Sequence, residues 1–174
     1  MTSYQFIAVS VASVITMACS SAMAQGLEPT GEPPAVKGWK LETVADDLPQ
    51  PWGMAWLADG RMLVTGKKGS LHLVSGKQVT NVPVEGLPNL FTGGQGGLLD
   101  IAVHPADKGP NPRIYMTMAS GAQDENRTVL VQGVFDGKRV HGIKTLFTAT
   151  PSKSGGEHFG SRIVFLKDGT LLMS

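Results

Sequence analysis

One segment of this chain occurs twice. MAWLADGRMLVT at residues 54–65 aligns without a gap on IVFLKDGTLLMS at 163–174, apolar on apolar, with Asp59-Gly60 on Asp168-Gly169 and Thr65 on Ser174. A third copy lies between them, Ile101-Ala102-Val103 followed by Arg113 to Thr117, its turn swollen into HPADKGPNP. The copies are offset by 47 and then 62 residues. Each is two apolar runs around a turn, and Asp-Gly between apolar runs is a strong hairpin signal. A further run, Leu71 to Val74, follows the turn residues Lys67-Lys68-Gly69. No window carries an i, i+3, i+4, i+7 stripe long enough for a helix. Units of about 50 residues with three or four short strands each are the signature of propeller blades.

The expected class is therefore all-β, a β-propeller. With 22 Gly and 11 Pro against only 17% charged residues, the chain is also too rich in turn formers for a long-helix or coiled-coil protein. A closed propeller needs at least ~4 four-stranded blades, more than 174 residues supply at this spacing. The expectation is that the chain covers roughly the first two to three blades of a longer protein. Such a piece leaves a sheet face and strand edges uncovered, and by itself is expected to be loose or aggregation-prone, and inactive. The alternative is a complete β-sandwich with accidental internal similarity.

Residues 1–24 read as a signal peptide. Phe6 to Ala18 is an apolar stretch too short to span a bilayer, and Ala22-Met23-Ala24 is an A-x-A cleavage signal. The stretch contains no Lys or Arg. Periplasmic or secreted localisation is expected, with no transmembrane segment in the mature chain. The alternative is lipid anchoring through Cys19, although Thr16 stands where such signals usually have Leu. Residues 25–38, rich in Pro and Gly, form a flexible lead-in, and 39–174 the partial propeller domain. Fifteen Lys+Arg against 14 Asp+Glu leave no basic footprint for nucleic acid. A single cysteine excludes an internal disulfide framework and a Cys-based zinc site.

Two loops carry polar groups among glycines just before an apolar strand. In FTGGQGGLLD, residues 91–100, four glycines around Gln95 allow positive φ and close backbone approach, and leave one amide side chain able to reach a ligand. The loop has neither a Walker A sequence nor a dinucleotide fingerprint. By itself it equally fits an interblade turn with Gln95 in solvent. In SGGEHFGSRIVF, residues 154–165, His158 stands before a strand, where propeller loops line the central axis. An imidazole accepts a proton near neutral pH. Alone, His158 also fits a structural or exposed histidine. Glu157 beside it points the opposite way if the chain is extended. His72, His104 and His141 are weaker candidates, and no pair shows metal-ligand spacing, so no metal residue is assigned. Asp124-Glu125-Asn126 reads as a solvated loop, and Asn126-Arg127-Thr128 is a glycosylation sequon.

The order PWGMAWLADGRMLVT, GQGGLLDIAVHP, EHFGSRIVFLKDG resembles the soluble, pyrroloquinoline-quinone (PQQ)-dependent aldose sugar dehydrogenases of the glucose/sorbosone dehydrogenase family, over about residues 40–174. The resemblance implies a six-bladed propeller with the quinone over the central axis and calcium bound. It implies oxidation of aldose sugars to lactones, with electrons passed to an external acceptor. His158 matches the family's general base for the anomeric hydroxyl, and Gln95 the amide that hydrogen-bonds near cofactor and substrate. The remaining cofactor contacts and the calcium ligands are expected outside this segment. Glu157 stands where the glucose dehydrogenase branch has a different acid. Arg162 can meet a cofactor carboxylate or form a surface ion pair. A propeller that binds sugars or protein partners without redox chemistry is the alternative function. A lactone-hydrolysing propeller would need converging carboxylates that are not found here.

Overall fold

The structure is a computed structural model that describes residues 37–174. The expected signal peptide, Cys19 and the expected lead-in up to residue 36 lie outside the described residues. The compact body is Leu41–Ser174. It contains ten strands, with no helix among the described residues. β1 (Pro51–Trp56), β2 (Met62–Gly66), β3 (Leu71–Ser75) and β4 (Gln78–Asn81) form one antiparallel meander. β5 (Leu98–Val103), β6 (Arg113–Gly121), β7 (Asn126–Phe135) and β8 (Val140–Thr148) form a second. β9 (Ile163–Phe165) pairs with β10 (Leu171–Met173) as the opening hairpin of a third. Three sheets follow one another, where a sandwich would have two. This is a β-propeller arrangement, and the chain covers two blades and the start of another.

β2, β5 and β6 are nearly continuous apolar runs because they are covered on both faces, whereas the outer strands β4 and β8 are largely exposed. Leu63 and Leu71 from the first sheet meet Leu98, Ile101, Ile114, Met116, Met118 and Val131 of the second in the main core. Along β6 the alternate residue Tyr115 faces the other way, packing with Leu130 and Ile163 against Phe165, Leu171 and Met173 of the third sheet. β1 has no such cover on its outer face, and Trp52, Met54 and Trp56 are exposed there.

The three repeat copies share one turn geometry. Leu57 N–H donates to Arg61 O (2.8 Å) and Gly60 N–H to Leu57 O (3.1 Å), and Leu166, Thr170 and Gly169 repeat both bonds at 2.8 and 3.1 Å. Gly60 and Gly169 stand at φ +86° and +85°, in the left-handed region that Gly occupies without strain. In the swollen copy, His104 N–H reaches Arg113 O and Asp107 N–H reaches His104 O, so the longer turn closes on the same two bonds.

A second repeated device joins sheet to sheet. The Thr65 hydroxyl accepts Gly53 N–H (2.9 Å) and donates to Leu99 O on β5 (2.5 Å). The Thr117 hydroxyl accepts Asp100 N–H (3.0 Å) and donates to Ser161 O ahead of β9 (2.8 Å). Ser174 Oγ accepts Arg162 N–H at 3.3 Å. Both β1–β2 and β5–β6 slip register at this place, between Pro51 and Met54 and between Leu98 and Ile101. The bulge frees the N–H that the hydroxyl takes. The first strands of successive sheets are thereby drawn together, which sets where the loops ahead of β5 and β9 meet.

Candidate functional site

The two glycine-rich loops close on each other across 63 residues of sequence. His158 N–H donates to Gln95 Oε1 at 2.9 Å, and Gln95 N–H donates to Gly156 O at 2.6 Å. The glycines make this possible. Gly94 has φ +55°, and a Cβ there would stand 2.5 Å from Gly156 O. The close approach expected of this loop is thus made to the partner loop's own backbone. Lys67 Nζ donates to Gly94 O and steadies the loop from β2's end.

His158 has φ +59°, so the chain is not extended at this residue, and the expectation that Glu157 and His158 simply point to opposite sides rested on a geometry that the loop does not have. Glu157 Oε2 instead accepts Gly156 N–H at 3.0 Å, curling back on its own loop. The His158 side chain is exposed, and among the described residues its ring nitrogens make no hydrogen bond. Gln95 likewise has an exposed side chain whose amide NH2 has no partner among the described residues, its carbonyl being taken by His158. The pair presents one titratable ring and one amide donor on a shared surface.

Behind the loop stands Asn126, fully buried. Its Nδ2 donates to Ala122 O (2.9 Å) and Gly155 O (2.8 Å), and its Oδ1 accepts Lys153 Nζ at 3.0 Å. Lys153 Nζ also lies 3.8 Å over the Phe159 ring, a cation–π contact, and Phe159 packs against Phe91 at 6.0 Å. The expectation of a solvated Asp-Glu-Asn loop holds for Asp124 and Glu125, which are exposed, and fails for Asn126. The chain returns at Lys153 to pair with it, and this long-range bridge buries the amide. The sequon is therefore closed to glycosylation in the folded protein.

Of the two partners open to Arg162, the structure gives an ion pair. Its Nη1 is 3.2 Å from Asp100 Oδ1, with the guanidinium exposed and the carboxylate buried. Asp100 Oδ2 accepts Ile163 N–H at 2.8 Å. Asp100 was not foreseen as a site residue. The available signal was a carboxylate inside the otherwise apolar strand LLDIAV, at the repeat position held by Gly53 and Arg162 in the flanking copies.

The other histidines are occupied elsewhere. His72 is buried with Nε2 2.9 Å from Ser70 Oγ. His104 packs edge-on to Phe165 at 5.1 Å and meets Arg113 at 2.9 Å. His141 lies on β8 opposite Val134.

The family described as Glucose / Sorbosone dehydrogenase matches residues 48–174. The chain is 34% identical over 139 residues to the aldose sugar dehydrogenase YliI of Escherichia coli K12, covering 77% of this chain and 37% of that protein. It is 40% identical over 143 residues to the uncharacterized protein slr1608 of Synechocystis, covering 78% and 34%. The chain thus spans about a third of the length of these relatives. Among solved structures, the apo-form of the soluble E. coli aldose sugar dehydrogenase is similar with a TM-score of 0.63 and 34% identity, over 71% of this chain and 37% of that one. The PQQ-bound aldose sugar dehydrogenase of Streptomyces coelicolor is similar with a TM-score of 0.61 and 31% identity, over 75% and 39%.

Proposed function

The chain belongs to the glucose/sorbosone dehydrogenase family, and from that premise we propose that it supplies two loops of the reaction centre of an exported quinoprotein. This protein oxidises aldose sugars to lactones and passes the electrons to an external acceptor. The reading is carried by one observation: His158 and Gln95, 63 residues apart, are tied by a 2.9 Å hydrogen bond while the imidazole stays open to solvent.

The groups present suit a planar, polar quinone and a sugar hydroxyl. The Gln95 amide NH2 is a donor with no partner among the described residues, and it lies exposed beside the open imidazole. When bound, PQQ would supply the acceptor for the hydride that leaves the sugar's C1. Loss of hydride from a C–OH carbon without loss of the hydroxyl proton would leave an unstable oxocarbenium-like cation, so a base is required. His158 takes that proton on a ring nitrogen. Gln95 holds the His158 backbone through its carbonyl and turns its NH2 to cofactor or substrate. Calcium and the remaining cofactor contacts are assigned to the part of such proteins that this segment does not span, and the segment alone is inactive. The A-x-A signal supports export to the periplasm or medium.

The test uses the full-length protein reconstituted with PQQ and calcium and assayed by dye reduction with aldoses. His158→Ala is expected to lower turnover about 100- to 10,000-fold with the quinone still bound; unchanged turnover removes the base assignment.

A further inference from the structure

We propose that Asp100 is a positioning residue for His158, acting through the first peptide of β9 and through Arg162; the inference rests on the base assignment above. A carboxylate buried to 3% exposure is expensive unless it is bonded, and nothing within the sheet that carries Asp100 bonds its side chain. Both oxygens are spent on the segment leading into the next sheet, one on Ile163 N–H and one on Arg162. The exposed guanidinium contributes the weaker contact, and the buried N–H bond at 2.8 Å the firmer one.

The carboxylate is itself fixed in place. Gly53 on β1 packs so close that a Cβ there would lie 2.9 Å from Asp100 Oδ1 and 3.0 Å from its Cα. Thr117 holds the Asp100 N–H on one side and Ser161 O on the other. Residues 161–163 are therefore anchored at three points to the second sheet. His158 is anchored separately, by Gln95. Only Phe159 and Gly160 separate the two anchors, and His158 lies in the left-handed region, which non-Gly residues occupy at a cost that the surrounding contacts must offset. Loosening the Asp100 anchor shifts the one end of this short span that keeps the imidazole at its angle. The Gly, Asp, Arg succession at the equivalent repeat positions 53, 100 and 162 is what brings a carboxylate and its guanidinium partner together there.

The experiment uses the full-length protein with PQQ and calcium, comparing Asp100→Asn, Arg162→Gln, His158→Ala and the Asp100→Asn/His158→Ala double variant. Asn keeps one acceptor but turns an NH2 toward donors, so Asp100→Asn is expected to lower single-turnover quinone reduction about 10- to 100-fold, with KM and quinone affinity little changed. Arg162→Gln, at an exposed side chain, is expected to fold and to lose a few-fold. In the His158→Ala background Asp100→Asn should cause no further loss, because its effect passes through the imidazole. Independently of activity, the His158 ring 13Cε1 resonance should move or double in Asp100→Asn, while those of His72 and His141 stay. If His158→Ala is slowed as expected but keeps a measurable single-turnover rate, and Asp100→Asn turns over normally, loses by the same factor in both backgrounds, or leaves the His158 resonance in place, the positioning role falls and the base assignment stands. If His158→Ala is fully active, the base assignment itself falls. Should Asp100→Asn fail to fold, Arg162→Gln with an unmoved His158 resonance overturns the inference, and with a moved one supports it.

Discussion

The Thr65 hydroxyl takes the N–H of Gly53 in its own sheet and gives its proton to Leu99 O in the next, so one side-chain oxygen serves two backbones. Thr117 does the same with Asp100 and Ser161. Thr→Val at either position keeps the shape and leaves a buried N–H without that partner, together with a carbonyl that is buried at Leu99 and partly buried at Ser161. Each such change should destabilise the full-length protein by about 1–3 kcal/mol, read as a lower denaturation midpoint at unchanged slope. Thr→Ser should recover most of the loss. A midpoint that Val leaves in place would show that these hydroxyls do not hold the blades together.

Gln95 contributes an acceptor to the His158 backbone, a role that an amide or a carboxylate can fill and a thioether fills poorly. In the reconstituted full-length protein, Gln95→Met is expected to reduce turnover with aldoses about 10- to 100-fold. Gln95→Glu, which keeps an oxygen at the same reach, should retain more of it. Steady-state dye reduction checks the order of the two; a Met variant as active as the parent would separate Gln95 from the site.

The parts of this structure legible in the sequence are those set by local chemistry. Asp-Gly turns between apolar runs predict the β1–β2 and β9–β10 hairpins, and both close on the same pair of backbone bonds. The repeat offsets foretell three sheets in succession, and even the hydroxyl positions, since Thr65, Thr117 and Ser174 align. Each glycine-rich loop read alone leaves its polar residue open to a solvent or structural role, and only the family resemblance implies that Gln95 and His158 share a site; the 2.9 Å bond between them is non-local. What else escaped is non-local too. Asn126 reads as a surface residue because nothing near it in sequence foretells that Lys153 returns to cover it. Asp100 reads as one polar residue in a strand because its partners arrive 62 and 63 residues later. The condition on which Glu157 would point opposite His158, an extended chain, does not apply, because His158 adopts a left-handed backbone that local sequence does not foretell.

Asn126 holds the back of the 155–158 loop with donors that no acid can supply. Asn126→Asp would set a carboxylate against the Ala122 and Gly155 carbonyls, with only Lys153 to offset it. A loss of about 2–4 kcal/mol is expected, larger than for Asn126→Ser, by chemical denaturation of the full-length protein. Secretion from a eukaryotic host offers a second check. Folded product should carry no glycan at Asn126 by peptide mass spectrometry, and a glycosylated, active product would contradict its burial.

Asp107 caps the swollen turn and meets Arg113 in a two-pronged pair, Nε to Oδ2 and Nη2 to Oδ1, each 2.8 Å. Hydrogen bonding from the Arg113 guanidinium, with the Arg113 backbone N–H and its charge adding to it, holds the Asp107 carboxyl far below the ordinary carboxylate range. The folded state therefore binds this proton less readily than the unfolded chain. The resulting stabilisation is complete above the unfolded value of ~3.9 and drains away as pH falls below it. Asp107→Asn should remove about 1–3 kcal/mol at neutral pH, since bonds to a charged group are the stronger kind. Below about pH 4 the difference between parent and variant should shrink steadily, because protonation of Asp107 in the parent does what the substitution has already done. Denaturant midpoints at pH 7, 5, 4 and 3 measure both limbs; a gap that stays constant down to pH 3 would mean that the pair contributes through shape and not through its charge.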